Sequence, residues 1–214
     1  MKPILGTLKE LKNLINNFIA DTEYKDTAIA LVGGYAVIAH GVERTTKDID
    51  ILSIGSPYDS FGKDLTEFLR RQLSTKGIKV EYLPQSHDIH DPFQHEVIYL
   101  KDPEGATPRI DIIIASYKWE VEGLLSANPE KEIPINILPK PYLIAMKLKA
   151  GGPKDDYDII ELYELLTDEE KIKTNELARI VHKDKKLARL IKPRKLKREK
   201  EDKDQLIKKK GGKR

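Results

Sequence analysis

A chain of 214 residues with 39% hydrophobic and 34% charged residues is polar but still able to form a core. Its length allows one large domain, or a catalytic domain with a smaller helical partner. The absence of cysteine excludes disulfides and cysteine-based metal or nucleophile chemistry. The first fifteen residues carry charge throughout and lack the apolar run of a signal peptide or membrane span, so we expect a cytoplasmic protein without a membrane partner.

The net charge of +3 is unevenly distributed along the chain. Residues Lys192 to Arg214 contain twelve Lys and Arg against four Asp and Glu, a net charge of +8, and the preceding residues carry −5. This tail has almost no apolar side chains, so one prediction is a solvated, disordered end. The alternative is a basic arm that binds nucleic acid by releasing phosphate counterions.

The amino-terminal third is predicted to be a helix followed by a strand and a short helix. Leucine, isoleucine and phenylalanine side chains recur at helical spacing over Gly6 to Ala20, and Ala28 to Val32 is an apolar run typical of a buried strand. Gly33 and Gly34 follow this strand directly. They leave backbone amides unobstructed where a helix begins, an arrangement that suits an anion such as phosphate.

Two aspartates follow in a second predicted strand. Asp48 and Asp50 are two residues apart, so both carboxylates should lie on one face while Ile49 and Ile51 point into a core. Adjacent carboxylates repel each other unless a cation neutralises them. Oxygen ligands of this kind suit Mg²⁺ together with substrate phosphates, so the stretch predicts a site for a nucleoside triphosphate.

This stretch resembles the DNA polymerase β-type nucleotidyltransferase superfamily, and within it the AbiEii-like and minimal nucleotidyltransferase groups. The residues that carry the resemblance are Gly33-Gly34, Arg44, Thr46 and Asp48-Ile49-Asp50. It implies an α/β (α+β) fold, with a mixed β-sheet flanked by helices and a small helical part after it. One departure is Gly34, where the superfamily often has serine, so only amide contacts to phosphate are expected there.

The middle of the chain is predicted to contain a helix and three strands. The helix covers Tyr58 to Lys76 with Gly77 as its cap, and the strands are Ile78 to Leu83, Phe93 to Leu100 and Arg109 to Ala115. Asp111 stands in the last, otherwise apolar strand. The resemblance implies that Asp111 is the third carboxylate of a metal triad. The alternatives are a solvent-facing aspartate on an edge strand or an ion pair with Arg109.

The histidines are predicted to have structural positions. His87, His90 and His95 lie around Pro92 without the spacing of a zinc motif, so we expect a polar loop. His40 is expected to be a helix-end residue that contacts a carbonyl, rather than a catalytic base.

After Tyr117 the pattern predicts helix, a short strand over Ile133 to Leu138, and further helices. The resemblance, which extends from Ala28 to about Leu166, implies that Lys147 reaches the triphosphate. It also implies that Asp158 belongs to the nucleotide site, with Lys154 and Asp155 in or around it. The alternative is that Lys154-Asp155 caps a helix and Asp158 pairs with a nearby lysine.

Together these features predict a catalytic domain at 1–138, a helical part at 139–191 that completes the site, and the tail at 192–214. The resemblance implies that two Mg²⁺ ions, or Mn²⁺ instead, bind Asp48, Asp50 and Asp111, which are the catalytic residues. It also implies that Gly33, Gly34, Tyr35, Arg44, Lys147 and Asp158 bind the nucleotide.

The expected reaction moves a nucleoside monophosphate from an NTP to a hydroxyl acceptor. A tRNA or other RNA acceptor is favoured over a protein or a small molecule, and a toxin or stress role with an antitoxin partner is a family-level expectation. The competing interpretations are a non-catalytic nucleotide- or nucleic-acid-binding module of the same fold, and an unrelated α/β protein with structural acidic residues.

Overall fold

The computed structural model describes residues 2–86, 88 and 94–192, and the basic tail after Lys192 lies outside them. The described chain forms two compact units that divide between Leu143 and Ile144. Within the described residues, no helix is long and apolar enough to cross a membrane.

The first unit is built on a seven-stranded sheet in the order β3-β4-β5-β2-β1-β7-β6. The strands are β1 Ala28–Val32, β2 Ile49–Ile54, β3 Lys79–Leu83, β4 Val97–Lys101, β5 Ile110–Ile114, β6 Asn128–Glu130 and β7 Ile133–Ile137. β1 pairs with β7 and β2 pairs with β5 in parallel, and the other neighbours are antiparallel. The expected mixed sheet is confirmed, and only the short polar strand β6 was missed by the sequence pattern.

Among the described residues, the helices that lie wholly in this unit are α1 Lys2–Asp21, α2 Gly33–Ala39, α3 Tyr58–Leu73 and α4 Lys118–Leu125. α3 is followed by a 3-10 turn over Ser74–Lys76, which ends at Gly77 with a φ of 71°. A left-handed residue of this kind is the usual end of a helical segment, so the predicted glycine cap is present.

One face of the sheet is apolar and buried, because strand residues alternate between its two sides. Ile49 and Ile51 are 0% and 1% exposed, as the spacing predicted. Their register partners on β5 and the residues beyond them on β4 continue this layer, which contains Ile98, Leu100, Ile110 and Ile112. The opposite side of the same strands carries Asp50, Asp111 and Tyr99.

The second unit is helical. α5 Lys140–Ala150 crosses the division, and α6 Pro153–Glu164, α7 Asp168–Ile180 and a last helix, α8, over residues 184–192 follow it. Its buried apolar side chains come from all four helices and include Leu148, Ile159, Leu162, Leu177 and Leu187.

Candidate active site

The turn from β1 into α2 brings Gly33 against the carboxylate of Asp50. β1 pairs with β2 so that Val32 faces Asp50, and α2 begins at the next residue, Gly33. Gly33 has a φ of +60°, and a Cβ placed on it would overlap Asp50 Oδ2 and lie 2.7 Å from Asp50 Cβ. Only glycine meets both the conformation and the close approach.

Gly34 faces a side chain of the protein, because a Cβ there would lie 2.6 Å from Thr46 Oγ1 and 2.7 Å from Thr46 Cβ. The Tyr35 hydroxyl also donates to the Thr46 carbonyl, at 3.4 Å. The loop before β2 is thus folded onto the first turn of α2. The side of Gly34 on which a Cβ would stand therefore faces Thr46, not open space for a ligand.

The carboxylates of Asp50 and Asp111 come from neighbouring parallel strands. The two residues are register partners on β2 and β5, which places their side chains on one face of the sheet. Asp48 immediately precedes β2. The backbone bond from Ile49 N to Arg109 O, 2.8 Å long, ties the starts of the two strands together. The sheet thus brings together all three aspartates that the sequence singled out.

Arg109 lies among these carboxylates. Its Nη2 is 2.8 Å from Asp111 Oδ2 and 3.4 Å from Asp48 Oδ2, and its guanidinium carbon is 5.7 Å from the centre of the Tyr99 ring. The edge-strand alternative for Asp111 is wrong, because β5 lies between β4 and β2. The ion pair with Arg109, the other alternative, is present in the structure.

Burial and charge act in opposite directions on this group. The pKa of Asp111 is raised: burial is the largest single cause, the charge of Asp48 adds to the rise, and the charge and hydrogen bond of Arg109 oppose it. Burial lowers the pKa of Arg109, and attraction to Asp111 and Asp48 raises it by more. Burial also raises the pKa of the Tyr35 hydroxyl, with a further contribution from Asp48. The pKa of Asp111 is therefore raised even with the Arg109 guanidinium beside it.

The oxygen atoms of these carboxylates suit a hard divalent cation, although Arg109 now contacts two of the three carboxylates. Within the described ranges, no three His, Asp or Glu side chains are placed to share one metal ion. Asp111 Oδ1, however, is buried and has no hydrogen-bond partner among the residues that the structure describes. Carboxylate oxygens are the ligands that Mg²⁺ prefers, so the three aspartates fit such an ion by residue type. In the present structure the Arg109 guanidinium neutralises two of these aspartates, Asp48 and Asp111.

Lys147 forms a buried cluster with two aspartates within the second unit. Its Nζ lies 2.6 Å from Asp158 Oδ2 and 3.2 Å from Asp155 Oδ1, and Asp155 Oδ2 accepts from Gly152 N at the start of α6. Lys147 and Asp158 are 6% and 1% exposed. The helix cap and the lysine pair considered from the sequence are thus both present, and a nucleotide role for these residues stays a prediction.

Arg44 lies in the loop before β2, where its Nε is 3.4 Å from the Thr45 carbonyl. It is half-buried in the same loop that contains Thr46. Contact between Arg44 and a phosphate remains a prediction.

The histidine predictions fared differently. His40 Nε2 lies 2.8 Å from the Leu138 carbonyl, as expected for a helix-end residue. His87 and His90 lie outside the described residues. His95 is buried, with Nε2 2.9 Å from Glu120 Oε1, a partner 25 residues away that the local pattern could not show. Tyr99 was also missed, because its position opposite Asp111 depends on the register of β4 with β5.

Comparison with known proteins gives a family match over most of the chain. The family model described as nucleotidyl transferase AbiEii toxin, type IV TA system, matches residues 17–210. The match includes all three aspartates, Lys147 and part of the tail, so it extends well beyond the range Ala28 to Leu166 expected from the sequence. No curated protein matches the chain.

Several solved structures are similar to the chain. An antigenic nucleotidyltransferase-like protein from Paracoccidioides brasiliensis is 17% identical, with 89% of this chain and 93% of that chain covered and a TM-score of 0.49. ANT(2")-Ia in complex with adenylyl-2"-tobramycin is 14% identical, with 81% and 98% covered and a TM-score of 0.46. The lincomycin-bound lincosamide adenylyltransferase LnuA is 17% identical, with 72% and 97% covered and a TM-score of 0.41.

Proposed function

This chain belongs to the AbiEii family of nucleotidyl transferases, and we propose that it moves a nucleoside monophosphate from an NTP to an RNA hydroxyl with the help of a divalent cation. The observation that supports this most is the pairing of Asp50 with Asp111 on parallel strands, with Asp48 beside them and Gly33 against Asp50. The family assignment favours this enzyme over a non-catalytic module.

In this reaction the acceptor hydroxyl oxygen forms a bond to the α-phosphorus of the nucleotide. The bond from that phosphorus to the oxygen bridging to the β-phosphate breaks, pyrophosphate leaves, and the hydroxyl proton passes to solvent. Asp48, Asp50 and Asp111 would hold the cation. A divalent cation at such a site lowers the pKa of an attacking hydroxyl and offsets the charge of the leaving pyrophosphate.

The nucleotide would be held by the first turn of α2 and by nearby cations. The amides of Gly33, Gly34 and Tyr35 are the proposed phosphate donors, and Arg44 offers a bidentate contact. Lys147 and Asp158 are proposed as further nucleotide-site residues on the strength of the family motif. Positioning and fixed charge would supply most of the rate enhancement, as in phosphoryl transfer generally.

The test is a labelling assay with each α-labelled NTP in turn, in Mg²⁺ or Mn²⁺, scored on total tRNA, on protein and on the enzyme itself. We expect label on tRNA from at least one nucleotide and a loss of about a hundredfold or more in Asp50→Asn, since the variant lacks a proposed metal ligand. Equal labelling by Asp50→Asn would contradict the assignment. Label on protein alone would contradict the RNA acceptor.

The basic tail supports the RNA acceptor, because it carries +8 on a body of −5. Removal of residues 192–214 should weaken RNA binding and flatten its dependence on salt, since fewer counterions are released. NTP binding should not change. Unaltered RNA affinity after truncation would contradict a role for the tail in acceptor binding.

A toxin role, with a cognate antitoxin as partner, is proposed from the family description alone. Controlled expression in a bacterial host should arrest growth, and the Asp50→Asn protein should not. Arrest by both proteins would separate toxicity from nucleotidyl transfer.

A further inference from the structure

Arg109 is placed to act as an internal counter-cation for the carboxylate site. Its Nη2 contacts both Asp111 Oδ2, at 2.8 Å, and Asp48 Oδ2, at 3.4 Å. These are two of the three carboxylates proposed to hold a divalent ion. A guanidinium in this position neutralises the negative charge that would otherwise be left between neighbouring strands.

The Arg109 side chain can leave its position between the two carboxylates. The side chains of Arg109 and Asp48 are 42% and 46% exposed, so the guanidinium can move into solvent without disturbing the core. The Tyr99 ring lies on its other side, with its centre 5.7 Å from the guanidinium carbon, and aromatic faces attract cations. Asp111 is different, because only 12% of its side chain is exposed and, within the described part of the chain, its buried Oδ1 has no hydrogen-bond partner.

A divalent ion and the guanidinium would compete for the same oxygen atoms. Both cannot contact Asp48 Oδ2 and Asp111 Oδ2 closely, since their positive charges would then repel each other at short range. The absence of a preformed three-carboxylate cluster among the described residues agrees with this competition.

We propose that Arg109 is a displaceable counter-cation, which holds Asp48 and Asp111 in the metal-free protein and sets the affinity of the site for a divalent ion. On displacement it stays tethered one residue before β5, where its planar guanidinium can contact an incoming phosphate group. The inference rests on the proposed function in one respect, since it requires that these carboxylates bind a divalent ion.

Lys101 provides a matched control. Its Nζ lies 5.4 Å from the centre of the same Tyr99 ring, but its ion pair is with Glu81, at 2.7 Å. The charge of Lys101 also lowers the pKa of Asp111, but its effect is smaller than the effect of the Arg109 charge. Arg109→Gln and Lys101→Gln therefore remove the same charge near the site, and only the first removes contacts with the carboxylates.

The test is a Mn²⁺ titration without nucleotide, followed by electron paramagnetic resonance, on the wild type and on Arg109→Gln, Lys101→Gln and Asp50→Asn. Arg109→Gln should bind Mn²⁺ roughly fivefold to tenfold more tightly than the wild type, and Lys101→Gln should change affinity by less than about twofold. In EDTA, Arg109→Gln should melt below the wild type, and Mn²⁺ should raise its melting temperature by more.

Two results would overturn the inference, and they can be told apart. If Asp50→Asn weakens Mn²⁺ binding but Arg109→Gln behaves like Lys101→Gln or binds more weakly than the wild type, Arg109 does not compete and the metal site stands. If Asp50→Asn binds as the wild type does, both the proposed metal site and the inference fail. Should Arg109→Gln not fold, Arg109→Met replaces it. Methionine removes the positive charge and keeps an unbranched side chain, so the Mn²⁺ affinity of this variant should also exceed that of the wild type.

Discussion

The carboxylate of Asp50 packs directly on the Cα of Gly33, where even a methyl group would overlap it. The backbone of the β1–α2 turn and the proposed catalytic carboxylate therefore position each other. A change at either residue should be detected at the other.

Gly33→Ala should destabilise the protein by about 1–3 kcal/mol, because alanine at a φ of +60° is strained and its Cβ displaces Asp50. Urea unfolding gives the stability, and transferase activity should fall as well. Gly77→Ala is the control, since Gly77 has a φ of +71° with nothing within 4 Å of a Cβ. Equal losses in the two variants would mean that strain alone acts at Gly33.

Gly34→Ala should lower the melting temperature in the absence of nucleotide. Its new Cβ meets Thr46 rather than a ligand, so the cost belongs to the folded protein itself. Gly6→Ala in α1 is the control with the opposite sign. Among the described residues, no atom lies within 4 Å of a Cβ placed on Gly6. The alanine variant should therefore gain about 0.4–1 kcal/mol in helix stability. A Gly34→Ala protein with unchanged melting and weakened NTP binding would instead favour a ligand at this position.

Asp111 should make stability fall with rising pH in metal-free protein. Its pKa is raised in the folded state, so the folded state binds the proton more tightly than the unfolded state does. That contribution is fully present below the unfolded pKa of about 3.9, and it is lost as pH rises through the raised value. Melting curves from pH 3.5 upward in EDTA should therefore show Asp111→Asn gaining on the wild type as pH increases.

Asp102→Asn should show the reverse trend. Backbone hydrogen bonds from Glu104 and Thr107 lower the pKa of Asp102, so its contribution is present above the unfolded pKa and lost as pH falls. The wild type should gain on this variant as pH rises. Parallel curves for the two variants would contradict the assignment of a raised pKa to Asp111.

Asp158→Asn should destabilise the second unit by about 3 kcal/mol, because it removes a partner of the buried Lys147 charge. Lys186→Met is the matched control. Its pair with Asp156, at 2.6 Å, is more exposed, and its loss should cost less than about 1 kcal/mol. Chemical unfolding of both proteins measures the difference. A small loss in Asp158→Asn would mean that Lys147 does not depend on this pair.

The sequence by itself determined the local framework of the site. The strand at Ala28–Val32, the glycines that follow it and the burial of Ile49 and Ile51 are consequences of alternation and of glycine conformation. Each of these signals extends over only a few residues, so it can be recognised in the sequence without knowledge of the tertiary structure. The contact of His40 with a carbonyl was predicted in the same way, from its position at a helix end.

Only the tertiary structure decided which side chains meet. Asp50 and Asp111 are far apart in sequence, and their adjacency depends on the parallel register of β2 with β5. The position of Arg109 between Asp48 and Asp111 depends on the same register. The packing of Thr46 on Gly34 depends on how the loop before β2 folds. A shift of one residue in the pairing of β2 with β5 would place Asp50 and Asp111 on opposite faces, and no local pattern specifies a pairing between distant segments.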